Sequence, residues 1–283
     1  MPPQTFPLEN LTWKELDSLD REKTVILVPI APLEQHGPHL TIGTDFLECR
    51  FLARKIGEKI KDELKDYNVL IHPAIPVGTG TLDKPGTIEF RAKTVKSIVY
   101  DLGESLAVHG FRHIVVIACH GAPTFTVAIE EACEELNQQH GDIAFTPMGY
   151  FLSLLFEERV EELPEELGQM VERFPKDYHA GYIETSMMLN IDENLVKKDY
   201  KTYEPIEVKI IKLKNRKVVD KHGKGIGYFG YPAEASKQLG EKIIASTVNL
   251  LTEIIIHFLK RENYKKYVHS AYWKIPSFRT NPK

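Results

Sequence analysis

Unbroken apolar runs alternate along the chain with stretches of helical periodicity. The runs at Thr24–Val28, Val69–Val77 and Phe111–Ala118 predict strands that are buried on both faces. Apolar residues at three- and four-residue spacing predict a helix after each run, over residues 46–64, 94–108 and 124–136. Strands that alternate with helices indicate an α/β fold with a mostly parallel central sheet.

Turn residues and weaker runs predict the remaining elements. Thr12 predicts the start of a short helix, and Pro29, Pro32 and Gly37 predict the end of the first strand. The other predicted elements are a strand over 145–151, an acidic helix face or lid over 157–166, an exposed strand over 208–213 and a long apolar helix over 236–259. We expect one domain over 1–283, with an aromatic and basic arm from about residue 260 that docks on a neighbouring subunit.

Composition and charge exclude several classes of protein. Charged residues make up 27% of the 283 positions and hydrophobic residues 42%, which is typical of a globular chain. The formal net charge of -4 favours a small-molecule partner over nucleic acid or a membrane. Cys49, Cys119 and Cys133 form no CxxC pair, which argues against a disulfide scaffold or a thiolate zinc site. We recognise neither a signal-like start nor a segment of membrane-spanning length, so the expected location is the cytoplasm.

Three residues with metal-binding side chains follow the first predicted strand. Glu34 and His36 are two positions apart, so both point to the same side of an extended chain. Asp45 returns after the turn 41–44, and its two carboxylate oxygens could bridge two ions. Open α/β sheets place their chemistry at the carboxyl ends of strands, where we expect these side chains. The alternative is a polar loop in which His36 or His39 caps the next helix.

Two later stretches add candidate ligands. His120 ends the run over 111–118, which would place it at the same edge of the sheet. His179 precedes another predicted helix and Glu184 lies in its first turns, so both could reach a site at the helix N-terminus. Taken singly, packing would explain His120, and an interaction with the helix dipole would explain Glu184. The Gly-rich loop 78–87 has no nucleotide-binding motif and predicts a substrate-facing loop.

Together these stretches resemble the creatininase family of metal-dependent hydrolases. The resemblance runs from about Leu11 to about Leu259, and several motifs in one order are more specific than any single motif. The matching segments are Glu34–Leu40 with Gly43–Asp45, Pro85–Thr87, His109–Arg112 with His120–Gly121, His179–Gly181 with Glu184–Ser186, and Gly225–Ala233.

The resemblance implies a three-layer α/β/α sandwich that holds two divalent metal ions. By motif position, Glu34 and His120 would hold one ion, His36 and Glu184 the other, and Asp45 would bridge them. Zinc or manganese is expected, with iron as a further candidate, because oxygen and nitrogen ligands suit all three. Family members are commonly homohexamers, so the resemblance also implies a homo-oligomer.

The chemistry that the resemblance implies is hydrolysis by a metal-activated water. His179 would deliver the proton to the leaving atom, with Asp177 orienting its ring. The expected reaction cleaves a carbon-nitrogen bond in a cyclic amide or a related carbonyl compound. Two alternatives stay open. One is a ring-opening hydrolase of a cyclic diketone such as an oxidised inositol, and the other is a non-catalytic oligomer that keeps the metal ligands for stability.

The chain departs from the family pattern around His120. Much of the family has Asn-Gly-His-Gly-Gly-Asn where this chain has Ala-Cys-His-Gly-Ala-Pro over 118–123. In creatininase itself a glutamate two residues after the histidine is a metal ligand, and here that position is Ala122. Glu184 is therefore the expected substitute, and the change argues against creatinine as the substrate. The loop 78–87 also lacks the Glu-His pair often found before Pro-Gly-Thr.

Overall fold

Five parallel strands form the central sheet of the computed structural model, which describes residues 5–156, 160–208 and 225–280. The strands are β1 (Thr5–Pro7), β2 (Thr24–Ile30), β3 (Asn68–Ile71), β4 (His113–Ala118) and β5 (Ala144–Phe145). Their order in the sheet is β1-β3-β2-β4-β5. The predicted parallel sheet is therefore confirmed.

Strand β2 lies at the centre, where Val25 pairs with Val69 on one side and with His113 on the other. All seven of its residues are buried, as expected for a run without polar alternation. The prediction that Pro29 ends the strand is wrong, because Pro29 pairs with Ile117 inside it. Its missing N–H is tolerated near the strand end, where its carbonyl still accepts a hydrogen bond from the Ile75 N–H at 2.9 Å.

Helices cover both sides of the sheet and complete the expected three-layer architecture. They are α1 (Trp13–Asp17), α2 (Thr44–Glu63), α3 (Ala92–Val108), α4 (Pro123–His140), α5 (Met148–Phe156), α6 (Glu165–Arg173), α7 (Tyr182–Asp192) and α8 (Lys237–Leu259). Helix α2 packs on the sheet and contacts α7 and α8, while α3 and α4 pack against each other.

Capping side chains fix the starts of two helices. Thr12 and Glu15 form a capping box at α1, in which each side chain accepts a backbone N–H of the other residue. Ser236 caps α8 by accepting the Leu239 N–H at 3.2 Å. The expectation that no segment has membrane-spanning length is wrong, since α8 is long and apolar enough to cross a membrane. Most of its apolar stretch is buried here, and α8 packs on α2 and α7.

The predicted strand over 145–151 is wrong. Strand β5 ends at Phe145, and α5 begins at Met148, directly after Pro147. A short apolar run fits a buried strand or a buried helix equally well, so tertiary packing decided this segment. Most of the strand predicted over 208–213 lies outside the described residues, as do residues 157–159 of the acidic segment.

The C-terminal arm packs on its own chain, and docking on a neighbouring subunit stays a prediction. The Ser270 N–H and hydroxyl both donate hydrogen bonds to the Glu130 carboxyl of α4, at 2.6 and 3.1 Å. Arg279 forms an ion pair with Glu131 at 3.4 Å, and Phe278 is buried. The aromatic residues that make the arm conspicuous in the sequence thus extend the core of the same subunit.

Candidate metal centre

Two neighbouring strands and two helices bring the predicted ligands together. The segment after β2 carries Glu34 and His36, and Asp45 lies in the first turn of α2. His120 follows β4, which pairs with β2, and Glu184 lies in the first turn of α7. The carboxyl ends of β2 and β4 meet at one edge of the sheet, where open α/β folds bind ligands.

Glu34, Asp45 and His120 form the first cluster. His120 Nδ1 lies 3.2 Å from Glu34 Oε2 and 3.1 Å from Asp45 Oδ2. Glu34 and Asp45 are 1% and 2% exposed, so water contributes little to solvating either carboxylate. The three ligand atoms all lie within 4.8 Å of one another, close enough to hold one ion.

His36, Asp45 and Glu184 form the second cluster. His36 Nε2 lies 3.0 Å from Asp45 Oδ1 and 3.6 Å from Glu184 Oε2. These atoms again lie within 4.8 Å of one another. Asp45 thus directs one carboxylate oxygen to each cluster, the arrangement of a ligand that bridges two ions.

Backbone groups hold the ligands in place. The Leu82 N–H donates a hydrogen bond to Glu34 Oε1, which leaves Glu34 Oε2 directed at His120. His36 Nδ1 donates to the Glu34 carbonyl oxygen at 3.0 Å and Nε2 donates to Asp45 Oδ1 at 3.0 Å, so Nε2 is the nitrogen that would face an ion once its proton is lost. The Ala180 N–H donates to Glu184 Oε2. Such outer contacts fix the orientation of the ligands.

The donor set fits divalent metal ions. Ligands about 2.0–2.2 Å from a tetrahedral ion lie roughly 3.3–3.6 Å apart, close to the spacings within both clusters. Glu34 Oε2 and Asp45 Oδ2 are buried without a hydrogen-bond partner among the described residues. Burying carboxylate oxygens without a partner lowers the stability of the fold. A cation between them would offset this loss.

The pKa values of the three residues in the first cluster differ strongly from their usual values. Burial raises the pKa of Glu34 to about 7, although His120 opposes the shift. Burial disfavours the charged ring of His120, but Glu34 and Asp45 outweigh it and raise the pKa of His120 to about 9. Burial also opposes ionisation of Asp45, but His36 and His120 outweigh it and hold the pKa of Asp45 below its usual range. A bound cation would replace the protons that this cluster otherwise needs.

His179 lies beside the second cluster, with its ring centroid 4.3 Å from that of His36. Its Nε2 lies 2.8 Å from the Gln35 carbonyl oxygen, which can only accept, so Nε2 carries the hydrogen and Nδ1 the lone pair. Burial and the nearby His36 lower the pKa of His179 well below its usual value, so the free ring is neutral. His179 also forms a third possible ligand group with Glu34 and His36.

Asp177 does not orient His179, contrary to the sequence-based expectation. Its carboxylate accepts hydrogen bonds from the N–H groups of Tyr182 at 2.8 Å, Ile183 at 3.1 Å and Tyr231 at 3.0 Å. Asp177 therefore ties the start of α7 to the segment at Tyr231. Among the described residues, the hydrogen bond that orients His179 comes from Gln35 instead.

The sequence reasoning missed two residues near the centre. Gln35 lies between the ligands Glu34 and His36, and its side-chain amide also reaches His179, at 3.1 Å. Glu48 lies on α2 one turn after Asp45 and is 5% exposed. The three-residue spacing from Asp45 was a usable signal, because it places both carboxylates on one face of the helix.

A model of the family described as creatinine amidohydrolase matches residues 9–255. The chain belongs to the creatininase family. It is 27% identical over 202 residues to creatinine amidohydrolase of Pseudomonas putida, which covers 67% of this chain and 73% of that protein. It is 25% identical over 230 residues to the mycofactocin precursor peptide peptidase of Mycolicibacterium smegmatis, with 80% and 81% covered. The chain is therefore a creatininase-family hydrolase with a candidate metal-ligand cluster.

Solved structures support the same fold. A creatininase described as the manganese form matches with a TM-score of 0.66 and 21% identity, over 88% of this chain and 96% of that one. A zinc-zinc form of a creatininase mutant matches with a TM-score of 0.65 and 20% identity, over the same shares. At this identity the likeness establishes the three-layer fold, and the metals are those of the neighbours.

Proposed function

We propose that the protein is a metal-dependent hydrolase that cleaves an amide carbon-nitrogen bond in a cyclic amide or a related small molecule. The observation that carries the proposal is the pair of clusters joined by Asp45, with Glu34 and His120 on one side and His36 and Glu184 on the other. Zinc and manganese suit these oxygen and nitrogen donors. A homo-oligomer in the cytoplasm, acting on a small molecule, remains part of the proposal.

The chain supplies metal ligands and, in His179, a group for proton transfer. When bound, two divalent cations supply an acidic water and polarise the carbonyl under attack. His179 holds its ring through the Nε2 hydrogen bond to Gln35, so the Nδ1 lone pair is the free position of the imidazole. We assign His179 the transfer of a proton: its Nδ1 accepts one from the attacking water and gives it to the leaving nitrogen, a role that suits an imidazole that starts neutral.

An acyclic peptide bond is a second candidate for the cleaved bond. The relative from Mycolicibacterium smegmatis is described as a peptide peptidase and matches 80% of this chain. A cyclic amide and a peptide present the same carbonyl and the same kind of leaving nitrogen, so one metal centre could serve either. The shape of the substrate pocket, and not the set of metal ligands, would then decide between a cyclic amide and a peptide.

Metal content per chain tests the proposal before any substrate is known. We expect about two divalent ions per chain in the wild type, and loss of both from Asp45→Ala because this variant removes an oxygen from each cluster. Glu34→Ala and Glu184→Ala should each retain about one ion, since Glu34 pairs with His120 and Glu184 with His36 on opposite sides of Asp45. Elemental analysis of protein loaded with zinc or manganese and then gel-filtered measures this directly.

Asp62→Ala is the matched control for the change at Asp45. Asp62 lies on the same helix, but its side chain is 78% exposed and, among the residues that the structure describes, pairs with Lys65 alone, at 3.2 Å. Its loss should leave the metal content unchanged. A wild-type protein that retains no ion after loading would refute the hydrolase proposal and favour a non-catalytic role.

A further inference from the structure

A mostly apolar cavity of about 120 Å³ opens beside the metal ligands. Asp45, His120 and Glu184 line its polar end, and helices α5 to α8 contribute to the rest of its wall. The apolar lining includes Leu52, Met148, Phe151, Leu167, Met170 and Phe174. An apolar cavity of roughly 150 Å³ accommodates benzene, so this one suits a branched group of about four or five carbons.

Glu48 is a buried carboxyl in the mostly apolar wall of this cavity, and packing alone does not explain its presence there. Its side chain lines the cavity and the residue is 5% exposed, yet Oε1 has no hydrogen-bond partner in the described part of the chain. A buried polar atom without a partner destabilises the fold, and a leucine would fill a similar volume without this cost. A residue that costs stability at the wall of a pocket is a candidate for binding a ligand.

Metal binding by the groups found among the described residues does not explain the buried carboxyl of Glu48. It belongs to none of the three groups whose donor atoms lie within 4.8 Å of one another. The hydrogen bonds found in the described residues also leave Oε1 unused, although Asp45 is one turn away on α2. A molecule that enters the cavity would supply a partner for the Glu48 carboxyl, which lines the wall.

We propose that Glu48 binds a hydrogen-bond donor of the substrate and that this donor is attached to an apolar group that fills the cavity. The inference rests on the proposed hydrolase function and narrows its substrate class to amides with a branched aliphatic substituent. The Glu48 carboxyl can accept a hydrogen bond whether it is ionised or neutral, so the donor can be an N–H or an O–H. The apolar wall provides the affinity and Glu48 provides the selectivity.

Binding of small probes to the metal-loaded full chain tests the inference. Isovaleramide offers an N–H, 3-methylbutanol an O–H, and isopentyl methyl ether the same branched group without a donor. Acetamide offers an N–H without the branched group. We expect the amide or the alcohol to bind about tenfold more tightly than the ether, the effect of one buried hydrogen bond. Acetamide should bind more weakly than isovaleramide. Titration followed by NMR gives the affinities.

Variants of Glu48 separate hydrogen bonding from charge. Glu48→Leu should abolish the preference for donors, keep ether binding and raise the Tm, because the unpaired carboxyl is gone. Glu48→Gln keeps an acceptor oxygen and should retain most of the preference. Glu63→Leu is the matched control, because Glu63 lies on α2 with a side chain that is 45% exposed. Its loss should leave probe binding unchanged.

The possible outcomes distinguish this inference from the proposed function. A preference for donors that survives in Glu48→Leu overturns the inference, as does equal binding of ether, amide and alcohol to the wild type. Should Glu48→Leu not fold, loss of the preference in Glu48→Gln would equally contradict the assigned hydrogen bond. Metal content is measured in every sample. Missing metal therefore counts against the hydrolase, whereas missing selectivity in metal-loaded protein counts against Glu48.

Discussion

Replacing Asp177 tests whether this residue is structural, as its contacts indicate, or catalytic, as the sequence suggested. Asp177 accepts three backbone hydrogen bonds, from Tyr182, Ile183 and Tyr231. A Cβ at Gly181 or at Gly230 would overlap its Oδ1, so both glycines allow the backbone to approach the carboxylate. One side chain thereby fixes the start of α7, which carries the ligand Glu184.

The expected loss of stability follows from the donors that would lose their acceptor. Leaving a buried N–H unsatisfied costs roughly 1–3 kcal/mol, and water can reach part of this partly exposed site. We therefore expect Asp177→Ala to lower the free energy of unfolding by about 3–5 kcal/mol, a large share of the 5–15 kcal/mol typical of a domain. Asp177→Asn keeps Oδ1 for Tyr182 and Tyr231 but presents an NH2 group to Ile183, so its cost should be about 1–2 kcal/mol.

Urea unfolding of the metal-free protein measures these differences without contributions from bound ions. Asp192→Ala is a matched control, because Asp192 is exposed and its hydrogen bonds within the described ranges come from Asn194. It should lose about 1 kcal/mol or less. A stable Asp177→Ala protein, within about 1 kcal/mol of the wild type, would refute the structural role. If Asp177→Asn also lost activity with its metal content intact, the catalytic role would be restored.

Two further predictions concern His179 and Glu130. His179→Ala should keep both metal ions and lower the turnover of a cleaved amide by about 10²–10⁴-fold, the usual contribution of a positioned acid or base. Loss of one ion on elemental analysis would make His179 a ligand instead. Burial raises the pKa of Glu130 to about 8, so the native state holds a proton that the unfolded chain releases near pH 4.3. Its contribution to stability is complete below about pH 4 and is lost as the pH rises through 8. Glu130→Gln should therefore lose less stability than the wild type between pH 5 and 9 in urea unfolding, and an identical pH dependence would contradict this explanation.

The parts of the fold that depend on local pattern were predictable from the sequence. The run from Thr24 is apolar without alternation, and only a central strand buries every residue in that way. Helix starts at Thr12 and Ser236 also follow from local chemistry, because the cap is made by the residue itself. The segment at Met148 was misread, since an apolar run of that length fits a helix and a strand equally well.

The clustering of the candidate ligands was predictable from the sequence, but their supporting contacts were not. Glu34 and His36 could be predicted because motif spacing and strand ends place them at one edge of the sheet. The hydrogen bond from Leu82 to Glu34 joins residues far apart in sequence, so it depends on how a loop packs. The contacts of Asp177 were misjudged for the same reason, because proximity to His179 in sequence does not determine which donors surround its carboxylate.

The position of the second carboxylate follows from how the Gly-rich loop packs. Gly80 has a φ of 81°, and a Cβ there would lie 2.6 Å from the Ala122 Cβ, so the loop lies directly against that residue. The same loop carries the Leu82 N–H that holds Glu34, so the segment against Ala122 also supports a ligand of the first cluster. Glu184 reaches the second cluster from α7 instead, where the Ala180 N–H orients it. Ala122 therefore occurs together with a loop that supports Glu34 and with helix α7, which supplies Glu184. These three features are best understood as one arrangement of the metal centre.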